Sequence, residues 1–214
     1  MKSDAPPPLR PESTAPPGFA ATDDWATLSN DLLQGLVHAL NNRLSALGAL
    51  MELARLRDET MDPLAELPTE IGQLEGLTGL FALLPERRAD AEALELSAAL
   101  DDALRLHEHH LKLRAERCEV RYEGAPTPVR APRWALVRTF VMLVHAAKRS
   151  GAPLIVRTDD TMVRVCVRTP ADPSRDLLAA GERAGGELIR EGELLTFRLL
   201  TLAELRRRER IARG

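Results

Sequence analysis

With 214 residues, 44% of them hydrophobic and 29% charged, the chain has material for one large or two small globular domains with packed cores, and its composition excludes an intrinsically disordered protein. Acidic and basic side chains nearly cancel at a net charge of −3, with an Arg cluster at the C-terminus as the one exception, so no overall field directs the chain to nucleic acid. Cys118 and Cys166 are too few for a disulfide scaffold or a four-thiolate zinc module and fit a reducing cytoplasm; Met1-Lys2-Ser3-Asp4 leads into prolines and not an apolar segment, against a signal peptide, and no apolar run of about 18 residues offers a membrane span.

Residues 1–22 carry prolines at 6, 7, 8, 11, 16 and 17 among Ser, Thr and Ala. Such a segment cannot bury enough surface to offset its ordering entropy and is predicted to be a disordered tail. From Thr22-Asp23-Asp24 the pattern turns helical, with a capping candidate, acidic first-turn residues, and apolar positions at Leu33, Val37, Leu40, Leu44, Leu47, Met51 and Ala54. The alternating spacing of four and three predicts a bundle seam on a helix that runs to Arg57, roughly 30 residues or about 45 Å.

A second helix is predicted from Asp62-Pro63, where Asp caps and Pro fits the first helical position. It repeats the seam through Leu64, Leu67, Ile71, Leu74, Leu77, Phe81 and Leu84, with Pro68 expected to kink or delay it. A short link makes the pair an antiparallel hairpin, and one hairpin cannot cover its own apolar stripe. Two can, so residues 23–88 are predicted to form a homodimeric four-helix bundle.

Past Pro85-Glu86-Arg87-Arg88 the periods mix. Residues 89–200 read as a helix from Ser97 to Glu116, a strand from Cys118 to Glu123 and a helix from Pro132 to Arg149. A hairpin of Leu154–Thr158 with Met162–Arg168, a helix from Ser174 to Ala184, and strands over Glu187–Arg190 and Leu194–Leu199 complete the set. The β-branched, alternating strands predict a sheet with one face under helices. Residues 201–214 form a basic helical end, with Arg206, Arg207, Arg208, Arg210 and Arg213 where cations suit the helix dipole. The fold class is therefore α+β, a two-helix hairpin followed by an α/β sandwich.

Chemistry concentrates in Leu36-Val37-His38-Ala39-Leu40-Asn41-Asn42-Arg43-Leu44, in the middle of the first helix. His38 lies five residues past Leu33 and two before Leu40, which turns it away from the seam and into solvent. Asp31, Gln34, Asn41 and Ser45 share or border its face, and Asn42 stands one turn beyond it. A neutral imidazole nitrogen is a competent nucleophile toward phosphorus, and an exposed one is open to another protein's aspartyl phosphate. The bland alternative is an ordinary exposed histidine on an Ala/Leu-rich helix.

This box resembles the phosphoacceptor segment of histidine kinases, which runs His, acidic, apolar, polar, Asn or Thr, Pro, Leu. His38, Leu40, Asn41, Asn42 and Leu44 match; Ala39 and Arg43 do not. Ala39 lacks the carboxylate that helps remove the imidazole proton when ATP is attacked. Arg43 supplies a cation near the reacting group instead. Asn42-Arg43 is similar to the arrangement in the sporulation phosphotransferase B family, whose acidic neighbour to the histidine is likewise missing here.

Residues 94–200 resemble the kinase ATP-binding domain in the order of their elements, and its defining motifs are absent. The Asn-Leu-x-x-Asn-Ala pattern, whose asparagines hold magnesium and phosphates, appears with Val141 for the first asparagine and His145-Ala146 for the closing Asn-Ala. The adenine-binding Asp and glycines are replaced by Arg168-Thr169-Pro170-Ala171-Asp172-Pro173, and no room remains for a glycine-rich lid.

The resemblance implies a degenerate, histidine-kinase-type domain that binds no ATP, with any magnesium supplied by the partner. It implies a homodimeric, cytoplasmic histidine phosphotransferase that exchanges phosphoryl between His38 and receiver-domain aspartates, Asn42 and Arg43 steadying the group. No nucleic acid, membrane, cofactor or metal is expected. Two alternatives stand beside it: a receiver phosphatase in which Asn42 orients water, and a pseudokinase scaffold without chemistry.

His107-Glu108-His109-His110 offers no i, i+4 pair and reads as a polar helix surface. The two cysteines read as packed strand residues, and the C-terminal arginines as a helix end before they read as a patch for an acidic partner.

Overall fold

A computed structural model describes residues 24–56, 63–87, 89–125 and 127–213. The tail expected over 1–22 and the link between the first two helices lie outside the described residues.

Helix α1 (Trp25–Leu56) starts where the Asp24 carboxylate accepts the amide of Thr27 at 2.7 Å, a bond that also holds this carboxyl below its ordinary range. A 3-10 turn (Pro63–Glu66) leads into α2 (Leu67–Phe81). Pro68 sits in the first turn of α2, where its missing N–H leaves no bond unmade, so it delays the helix and does not kink it. Arg43 of α1 pairs with Glu70 at the start of α2, and Leu33 lies by Phe81 and Leu84 at its end, which makes the two antiparallel.

Along α1 the apolar residues form two adjacent stripes with different fates. Leu28, Leu32 and Leu36, spaced by four, are fully buried and belong to the main core. The expected seam lies beside them, with Leu33, Val37, Leu44 and Met51 at 42%, 42%, 52% and 56% exposure in the single chain. The sequence reading assigned that seam to a bundle of two hairpins and did not foresee the second stripe that one chain buries, because on an Ala/Leu-rich helix both stripes satisfy a helical period.

The rest is a mixed sheet under helices. A two-stranded antiparallel sheet pairs β1 (Glu92–Glu95) with β3 (Pro128–Ala131), neither of which the sequence had announced. The main five-stranded sheet contains β2 (Val120–Glu123), β4 (Leu154–Thr158), β5 (Met162–Arg168), β6 (Glu187–Glu191) and β7 (Leu194–Leu200), in the order β2-β4-β5-β7-β6. Only β2 and β4 run parallel, and between them the chain crosses over through α4 (Arg133–Ser150), as parallel neighbours require. Helix α4 ends at Gly151, whose φ of 67° supplies the left-handed cap.

Helix α3 (Leu96–His107) stops nine residues short of the Glu116 expected from its pattern, and turns follow. The His110 ring accepts the amides of Lys112 and Leu113 at 3.2 and 3.3 Å, giving those donors partners that a continued helix would have provided. Helix α5 (Arg175–Arg183) is capped by Ser174, and α6 (Leu202–Arg213) closes the chain. Among the described residues no helix is long and apolar enough to cross a membrane.

The core lies between α3, α4 and the inward sheet face of Val156, Val163, Val165, Val167, Leu195, Phe197 and Leu199, with Phe140 set edge-on to Phe197 at 6.2 Å. The register puts Glu123, Arg157, Arg164, Arg198 and Glu187 in one row on the other face, acidic at both ends.

Candidate functional site

Leu36 fixes the rotation of α1 by burying itself, and two residues on, about 200° around the helix, His38 stands exposed. Asn42, one turn further, brings its side-chain amide to 3.4 Å from His38 Nε2. An amide donating there leaves the ring proton on Nδ1 and Nε2 as the lone-pair nitrogen. Both side chains are open to solvent, so a group transferred to Nε2 meets the Asn42 amide directly.

Arg43, the third residue expected at the site, is turned toward α2. Its guanidinium bonds Glu70 at 3.3 Å, with 42% of its own side chain exposed and 15% of the glutamate's. It is a neighbour of the His38 face, held from the other side of the hairpin.

At the other end of that face, two turns before His38, Asp31 bonds Lys112 Nζ at 3.2 Å and lies 3.7 Å from His110 Nε2. Gly35 approaches even closer: a Cβ placed on it would stand 1.6 Å from the carbonyl oxygen of His109, so only glycine lets α1 lie against this turn. The face that carries His38 is thus rooted on the turn after α3, and it emerges into solvent at His38.

On α4, Val141 and His145, where the kinase pattern has asparagines, are buried, as is Ala146 beside them. The nearby cavity is about 120 Å³, lined by His145, Ala146, Arg149, Ser150, Thr169, Pro170 and Ala171. Small-molecule sites span about 300–1,000 Å³. Residues 169–174 alone join β5 to α5.

The sequence reading missed one cluster. His107 and His110 are buried, at 0% and 3% exposure, and meet His145 of α4, also at 3%, so they do not lie on a polar helix surface. His107 Nε2 and His145 Nδ1 are 3.1 Å apart, and one ring nitrogen from each of the three histidines falls within 4.8 Å of the others. Burial, then the Lys148 ammonium and the two other rings, push His107 down to about 2, so this ring stays neutral. The i, i+3 spacing of His107 and His110 was the only local signal; the third member arrives through tertiary packing of α4.

No protein-family model matches the chain, and no curated protein does. Among solved structures it is similar to the cytoplasmic segment of histidine kinase QseC, at 13% identity and a TM-score of 0.39 over 65% of this chain and 95% of that one. It is similar to the Acinetobacter baumannii histidine kinase AdeS at 14% identity and a TM-score of 0.39, over 79% and 95% of the two chains. A bacterial phosphotransferase is similar at 15% identity and a TM-score of 0.38, over 85% and 99%. Histidine kinases, the family that the His38 box resembles, are among its structural neighbours.

Proposed function

We propose that the chain is a histidine phosphotransferase of a two-component relay, taking phosphoryl from a receiver-domain aspartate and returning it to another. The observation that carries the reading is the exposed His38 imidazole with the Asn42 amide 3.4 Å from its Nε2. In the transfer, the Nε2 lone pair attacks phosphorus, the bond from phosphorus to the aspartyl oxygen breaks, and the carboxylate leaves with that electron pair. The Asn42 amide donates to a phosphoryl oxygen as charge builds there, and Arg43 adds a nearby positive potential while paired with Glu70.

The phosphoryl group comes from the partner, with the partner's magnesium, because this chain holds no ATP. The small size of the cavity beside α4, the burial of Val141 and His145 where the kinase pattern has asparagines, and the short link after β5 support that. Two copies pair through the exposed stripe of Leu33, Val37, Leu44 and Met51, continued by Ile71 of α2 at 50% exposure, into a four-helix bundle.

The test is incubation of the protein with a phosphorylated receiver domain. Acid-labile label is expected on the wild type and none on His38→Gln. Equal labelling of the two removes the proposal. Receiver dephosphorylation that survives His38→Gln and is lost in Asn42→Ala identifies a phosphatase instead, a reading the exposed Asn42 amide also suits.

A further inference from the structure

We propose that His107, His110 and His145 form a binding site for one zinc-class transition-metal ion, set between the end of α3 and α4. The three rings lie in the interior, at 0%, 3% and 3% exposure. Their centroids make a nearly equilateral triangle with sides of 5.0, 5.4 and 5.2 Å. Three imidazoles on one tetrahedral ion, with nitrogen about 2.0–2.1 Å from the metal, have centroids about 5.2 Å apart. The rings stand at that separation, with those of His107 and His110 stacked at 11°, so the His110 ring must turn to aim a nitrogen at the ion.

Their nitrogens need a smaller adjustment. Bound nitrogens sit about 3.3 Å apart on a tetrahedral ion. His107 Nε2 and His145 Nδ1 are at 3.1 Å, and all three donors are within 4.8 Å, so the ring of His110 must swing inward. His110 now accepts the amides of Lys112 and Leu113 at Nδ1 and faces Asp31 through Nε2; the ion takes the place of the amides at Nδ1 and leaves the Asp31 contact.

A further observation points to a ligand. The contact between His107 and His145 holds one proton between two nitrogens, a place an ion fills with two coordinate bonds. A set of three imidazoles selects the zinc, copper and nickel class over calcium or magnesium, which prefer oxygen.

The ammonium of Lys148, bonded to the Leu113 carbonyl at 3.5 Å, opposes a cation here, and the Asp31 carboxylate, 3.7 Å from His110, offsets it. Asp31 also orients the His110 ring as second-sphere carboxylates do. Since Asp31 belongs to α1, the ion fastens the phosphoacceptor helix to the sheet domain two turns below His38, and it binds whether or not His38 carries phosphate.

Full-length protein prepared without a histidine tag, stripped by a chelator and titrated with zinc and cobalt salts tests the site. One ion per chain is expected, with the intense visible bands of a four-coordinate cobalt centre and a higher Tm with zinc. His38→Gln and His109→Gln should bind as the wild type does, and the double variant His107→Gln, His145→Gln should not bind.

Failure of the wild type to take up a stoichiometric ion overturns the proposal. So does binding that persists in the double variant, or binding lost with His38 or His109. Should the double variant fail to fold, the wild-type cobalt spectrum decides: weak octahedral bands overturn the site, intense four-coordinate bands uphold it.

Discussion

Among the described residues the exposed Asn42 amide has one hydrogen-bond partner, the His38 ring 3.4 Å away. Asn42→Ala should therefore leave the fold intact and lower the rate of phosphoryl transfer about ten-fold, the worth of one hydrogen bond of about 1.4 kcal/mol gained as charge develops. Rapid-quench transfer from a labelled receiver measures it, and a rate equal to wild type would remove Asn42 from the transfer step. Arg43 is committed to Glu70 across the hairpin, and a half-exposed pair of this kind is worth less than about 1 kcal/mol. Arg43→Gln should shift stability by no more than that and slow transfer less than Asn42→Ala does. His38 and Asn42 were legible in the sequence because a helix fixes, by rotation alone, what stands one turn apart. The histidine cluster was not, since His145 is separated from His107 by 38 residues and meets it only when α4 packs on α3.

Among the elements, α1 shows how far a hydrophobic period can be read. Its length was legible to within one or two residues, and the presence of an apolar seam was too. Which of two neighbouring stripes the chain buries depends on the α/β layer, which periodicity does not contain. The two stripes make opposite predictions. Leu32→Ala, at a fully buried position, should cost about 2–5 kcal/mol in chemical denaturation. Leu44→Glu with Met51→Glu, on the exposed stripe, should convert the proposed dimer to a monomer by light scattering while leaving the helical circular dichroism of the native chain unchanged. Dimers surviving the double charge would place the interface elsewhere. The strands β1 and β3 escaped the sequence reading because each is four residues long; β1 has no buried position, and β3 alternates over Val129, Arg130 and Ala131 alone. At the far end, Glu204 of α6 is 4% exposed and clamped by Arg207 and Arg208, which hold its carboxyl down at about 2. A depressed carboxyl stabilises the fold above its unfolded value of about 4.3 and loses that contribution as pH falls toward about 2. Wild type should thus lose stability over that window by more than Glu204→Gln does, as denaturation at stepped pH would show.

For the molecule as a whole, the deciding contacts join the first helix to the last elements. The amide of Trp25 donates to Asp176 of α5 at 2.8 Å, across 151 positions of sequence, and the Arg138 guanidinium lies over the Trp25 ring at 4.4 Å and near Trp134 at 5.2 Å. Leu28, Leu32 and Leu36 sit in one core with Leu100, Leu106, Val137 and Val144. Burying each leucine contributes about 1.5–3 kcal/mol, a large share of a total stability of about 5–15 kcal/mol. The first half of α1 therefore belongs to the sheet domain's core, while its second half belongs to the hairpin and carries His38 past the docking point. Unfolding should then be a single transition in which fluorescence from Trp25 and Trp134 and helical circular dichroism change together. Gly35→Ala tests the same coupling at one atom, because its Cβ would overlap the His109 carbonyl and the turn would have to move. The variant should lose about 1–3 kcal/mol or more. Because the displaced turn carries His110, it should also bind zinc more weakly than the wild type. Helical signal that melts in two steps, or a Gly35→Ala variant as stable as the wild type, would mean that α1 is joined to the sheet domain by its chain alone.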